Sequence, residues 1–75
     1  MTEKDKKIIV DAEKNGTPIF VLTAKDKTSY ETILDYHMRC VEAKCDKEHL
    51  ISIGIRATEF HDWQLMNKNK VKLPD

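Results

Sequence analysis

The chain has 75 residues, 13 of them lysine or arginine and 13 aspartate or glutamate, so its formal net charge is zero. That balance removes the basic excess expected of a nucleic-acid or membrane-surface protein. A hydrophobic content of 40% is too high for a disordered tail. One small domain spanning residues 1–75 is expected, with the first few residues and the C-terminal tail flexible.

No apolar run approaches the roughly 18 residues that a membrane span requires. Met1 is followed by Thr-Glu-Lys-Asp-Lys-Lys rather than by an apolar signal core, so a cytoplasmic location is expected. In that compartment Cys40 and Cys45 are not expected to form a stable disulfide. Domains this small bury only about 60% of their unfolded surface. A partner subunit or a metal is therefore considered beside the chain's own core.

The periodicity predicts a first helix over 3–15. Thr2 is its N-cap, Glu3 and Asp5 occupy the first turn, and Gly16 is the stop signal. Ile8, Ile9 and Ala12 make only a short apolar stripe, so this helix is expected to pack weakly. Thr17-Pro18 breaks the pattern. The β-branched and aromatic run at 19–23 then reads as a strand, bounded by Pro18 and by Lys25-Asp26-Lys27. Its mate is expected either in a C-terminal strand over 71–73, ahead of Pro74, or in a second copy of the chain.

The second helix is expected over 29–44, with Thr28 and Glu31 forming a capping box. Ile33, Leu34, Tyr36, His37, Met38, Cys40, Val41, Ala43 and Cys45, with Tyr30, fill an arc of about 220° at helical spacing. An arc that wide predicts cover on two sides and a central place in the fold. The third helix is expected over 47–66 with Asp46 as N-cap. Within it Ile51, Ile53 and Ile55 alternate in a strand-like way over 50–56, but Leu50, Ile53, Gly54, Ala57, Phe60, His61, Gln64 and Leu65 recur at helical spacing. Gly54 on that face is read as a point of close approach for the preceding helix. The fold expected is α+β and mostly helical: three helices, one short strand and a second strand at the C-terminus.

The most pointed constellation is His37, Cys40, Cys45 and His49, a Cys₂His₂ set of the type that binds zinc. Its spacing departs from that of zinc fingers. The simpler reading makes Cys40 and Cys45 small apolar residues, His37 a core histidine and His49 a surface one. No glycine loop, carboxylate pair or oriented thiol–imidazole pair supports catalysis, so neither an enzyme nor a cofactor is expected. Nucleic-acid binding rests on the helical hairpin and on Lys68, Lys70 and Lys72. The third helix, however, balances Lys47 and Arg56 with Glu48, Glu59 and Asp62, which suits a recognition helix poorly.

Phe60 and Trp63 are the candidate interface residues. In an unbroken helix Trp63 falls on the polar side with Ser52, Arg56 and Glu59, and such aromatic pairs are common anchors of protein interfaces. The alternative is that the tail folds back and covers the indole with Val71 or Leu73. The pattern Phe20-x-Leu22-x-Ala24-x-Asp26, Tyr36-x-x-x-Cys40, Phe60-x-x-Trp63 and Lys72-Leu73-Pro74-Asp75 is similar to one in small uncharacterised bacterial and phage-associated proteins. That resemblance implies a compact accessory protein of the kind carried by mobile elements, and it brings no catalytic residue, cofactor or substrate. The function expected is a non-enzymatic interaction module that binds an unknown protein partner or a second copy of itself. The alternatives are a small zinc-stabilised domain and a weak nucleic-acid-binding accessory protein.

Overall fold

In a computed structural model describing residues 1–74, three helices follow one another: α1 (Glu3–Asn15), α2 (Ser29–Glu42) and α3 (Lys47–Met66). A 3-10 turn, Lys68–Lys70, comes after them. Asp75, the last residue of the terminal pattern, lies outside the described residues. The protein is mostly helical, and no strand forms among the described residues. The α+β expectation is corrected on that point: 19–23 forms no strand and no β-bridge among the described residues. The expected C-terminal strand is reduced to a single parallel bridge between Asp26 and Lys72. Lys27 N donates to Lys72 O at 2.8 Å, and Lys72 N donates to Lys25 O at 3.0 Å. The tail thus pairs with the loop beyond the apolar run, not with the run itself.

Local chemistry accounts for the helix ends. Thr2 Oγ1 accepts from Asp5 N at 3.1 Å, and Asp5 Oδ2 accepts from Thr2 N at 3.3 Å, a closed capping box. At the other end of α1, Gly16 adopts a left-handed φ of 67°, and Thr17 N donates back to Ala12 O at 2.9 Å. This is the Schellman closure that glycine favours. The same closure ends α2, with Cys45 N donating to Cys40 O at 3.0 Å and Lys44 N to Val41 O at 3.1 Å. Here the left-handed residue is Lys44, at φ 59°. Its turn stops the helix at Glu42, short of the expected residue 44.

Two expected caps do not form. Thr28 already has helical backbone angles rather than those of an N-cap, so no side-chain cap bond forms with Glu31, and its hydroxyl donates to Asp26 Oδ1 at 2.8 Å instead. Asp26 organises this entry instead, accepting also from Thr28 N at 2.8 Å. Asp46 holds extended backbone at the start of α3 but makes no side-chain cap bond.

The ambiguous stretch 50–56 is helical, as its longer periodicity indicated. Helices α2 and α3 form an antiparallel hairpin: Tyr36 meets His49 beside the turn, while Tyr30 meets His61 at the far end. The ring centroids of the latter pair lie 5.2 Å apart. The buried apolar residues among those described are few: Ala12, Cys40, Ile53 and Ala57. Among the described residues, no Cα of α1 comes within 8 Å of one in α2 or α3.

Two packing expectations are therefore corrected. Helix α2 is covered on one side only, with Leu34, Tyr36, Met38 and Val41 all exposed. Nothing from the rest of the chain lies within 4 Å of a Cβ placed on Gly54, so no close approach depends on this glycine.

The shape is correspondingly open. The radius of gyration is 13.6 Å, against about 11 Å expected for a compact chain of this length. The accessible surface is 6468 Å², against about 4,700 Å² for a folded monomer of this mass.

Candidate functional site

The candidate site is a shallow groove of about 420 Å³ where the N-terminal arm lies over the helical hairpin. Ile9 of α1, Phe20, Val21 and Leu22 of the run after Pro18, Ile33 of α2 and Phe60 of α3 supply its apolar walls. Each wall has a local origin. The Schellman turn at Gly16, followed by Pro18, ends α1. Ile33 and Phe60 stand on adjacent helices of the hairpin. Leu22 and Phe60 are half-buried, but Phe20 is 84% exposed.

A charged rim closes one end of the groove. Arg56 donates to Asp5 Oδ2 at 3.2 Å and to Glu59 Oε2 at 3.1 Å. This pairing ties α1 to α3, and it joins an i, i+3 pair that is otherwise worth little at an exposed site. The Asp5 carboxyl is held below its ordinary value, chiefly by the Thr2 backbone N–H, then by the Thr2 hydroxyl, with Arg56 adding to the effect.

The other expected residues are placed as follows. Trp63 is half-buried, and its carbonyl accepts from Asn67 Nδ2 at 2.9 Å. Leu73 is exposed, whereas Val71 is half-buried and lines a separate depression with His61, Gln64 and Leu65. Phe60 thus belongs to the groove, and Trp63 is not among its lining residues.

Cys40 and Cys45 are both free and share the turn that ends α2. Hydrogen bonding to the Cys40 thiol pushes the Cys45 thiol and the Tyr36 phenol upward from their ordinary values. A thiol raised in this way carries less thiolate at neutral pH and is a poorer nucleophile and metal ligand. His49 Nε2 and Tyr36 Oη hydrogen-bond at 3.2 Å, while His37 is half-buried on α2. Among the described residues, no group of three or more His, Cys, Asp or Glu side chains is placed to hold a metal ion. No helix among them is long and apolar enough to cross a membrane.

The residues that position the groove were not singled out by pattern. Ser29 is 0% exposed, and its hydroxyl donates to Asp26 O at 2.7 Å. Gln64 Nε2 reaches Ala24 O, Asp26 O and Ser29 Oγ at 3.1, 3.2 and 3.3 Å. This amide fastens α3 to the loop that follows the run after Pro18, and so sets where that run can lie. The only sequence signal for it was a polar glutamine at an apolar position of the α3 stripe.

Compared with protein-family models, curated proteins and solved structures, the chain matches none.

Proposed function

We propose that the chain is a non-enzymatic, cytoplasmic protein-interaction module that works through the apolar groove between its N-terminal arm and the helical hairpin. The observation that carries this reading is the surface the fold leaves open. About 1,700 Å² more is accessible than a folded monomer of this mass presents. The excess includes large apolar side chains such as Phe20, Val21, Met38, Ile55 and Met66. The groove gathers Phe20 and Val21 beside Ile9, Leu22, Ile33 and Phe60, and exposed apolar clusters of this kind mark interaction sites in soluble proteins. Phe60 serves as a fixed wall of the groove and Phe20 as the projecting anchor, the aromatic composition typical of interface hot spots.

Native mass spectrometry on protein purified without chelator or metal-affinity resin tests this reading. The expected spectrum contains an assembled species without a metal adduct. A stoichiometric zinc adduct would favour the zinc-stabilised alternative. A bare monomer that also fails to bind an apolar fluorescent dye would refute an interaction surface altogether.

A further inference from the structure

Resting on that reading, we infer that the occupant of the groove is a second copy of this chain, docked about a two-fold axis, with residues 19–22 of the two copies paired as antiparallel strands. The first observation is main-chain chemistry. Among the described residues, no hydrogen bond uses an N–H or C=O of Ile19, Phe20, Val21 or Leu22. The flanking groups are engaged: Thr17 N bonds to Ala12 O, Asp26 N to Thr23 O, and Gln64 to Ala24 O. The run is therefore a β-prone segment held at both ends with its ladder groups open, a template for pairing with another chain.

The second observation is area. Obligate dimers bury about 1,000–2,500 Å² per protomer. The excess of roughly 1,700 Å² falls within that range. The third is charge. At zero formal net charge, two copies approach without net repulsion. The groove is also self-complementary: it offers apolar walls beside a projecting Phe20, which is what a two-fold contact requires, since each copy must supply both halves.

Symmetry narrows the register. Across an antiparallel two-fold pair, facing residues lie on the same side of the ribbon, and so do identical residues of the two strands. The numbers of facing residues must therefore add to an even sum. Pairing centred on Val21 sets Val21 opposite Val21, and Phe20 opposite Leu22 of the second copy. Phe20 of each protomer then reaches the rim of the other's groove.

The test uses the full chain and three measurements. In sedimentation equilibrium the parent chain is expected at twice its 8.7 kDa mass. Phe20→Asp is expected at the monomer mass with unchanged far-UV circular dichroism, because Phe20 is mostly exposed within its own protomer. Under mild oxidation Val21→Cys is expected to give a covalent dimer, with the parent, which keeps Cys40 and Cys45, as the control. A monomeric parent overturns the second copy as occupant. Apolar-dye binding by that monomer would leave the interaction reading standing, and its absence would remove both. A Phe20→Asp chain that keeps its helicity and remains a dimer overturns this surface as the interface. Should Phe20→Asp unfold, the Val21→Cys cross-link decides: its formation supports the register, and its absence overturns it.

Discussion

Replacing Gly54 with alanine should stabilise the protein. Gly54 lies well inside α3, where glycine costs about 1 kcal/mol relative to alanine, because its freer backbone loses more entropy on folding. That gain is realised only if the added methyl group has room. Nothing outside the helix's own backbone lies within 4 Å of the Cβ position, and the glycine does not sit at a left-handed φ. For a domain of this size, about 1 kcal/mol corresponds to a rise in Tm of roughly 4–8 °C. The assay is thermal denaturation of Gly54→Ala beside the parent, with urea titration to check that the m-value is unchanged. A lowered Tm would refute the reasoning. It would mean that another surface, from this chain or from a second copy, approaches Gly54 in solution.

Four other outcomes are expected. Lys44→Gly should raise stability by about 0.5–1 kcal/mol, since Lys44 occupies a left-handed conformation that costs an L-residue roughly 1–2 kcal/mol and glycine much less; urea denaturation reads this. Gln64→Leu should cost about 1–3 kcal/mol by leaving the Ala24 carbonyl without its side-chain donor and taking one donor of several from Asp26 O, and hydrogen exchange should speed up at Lys27 and Lys72, whose amides hold the bridge. The Asp5 carboxyl is held below its ordinary 3.8, so its contribution is complete above that pH and is lost as the pH falls through the lowered folded value. Far-UV circular dichroism should therefore show α1 loosening in acid, and Asp5→Asn should flatten that part of the profile. Cys45→Ser and His49→Ala should each melt at the same temperature with and without chelator, and a chelator-dependent drop in the parent alone would reinstate zinc.

The positions of the three helices were legible in the residues because helix formation is a local matter. Thr2 with Asp5, the Schellman turn at Gly16 and the apolar spacing of α2 and α3 all act within about four residues, the reach of one helical hydrogen bond. The same reach explains why Phe60 could be named as an interface candidate: its place on α3 follows from helical spacing alone. This reach fails at Thr28, whose helical backbone angles leave no N-cap geometry for α2.

Beyond that reach, tertiary structure decided. A strand exists only by pairing with a distant segment, and the C-terminal tail bonded to Lys25 and Lys27 rather than to residues 19–22. The wide arc on α2 marks apolar side chains, but whether a second element covers them depends on where α1 docks, and α1 meets α3 through Asp5 and Arg56 while Leu34, Met38 and Val41 of α2 stay exposed. The Gln64 amide reaches carbonyls some forty positions away in the chain, a contact that no periodicity encodes. Residue chemistry alone therefore determined which segments would be helical and, for α1 and α3, where they would stop. The three-dimensional path of the chain determined which apolar surface stays open, because burial is a relation between segments rather than a property of any one of them.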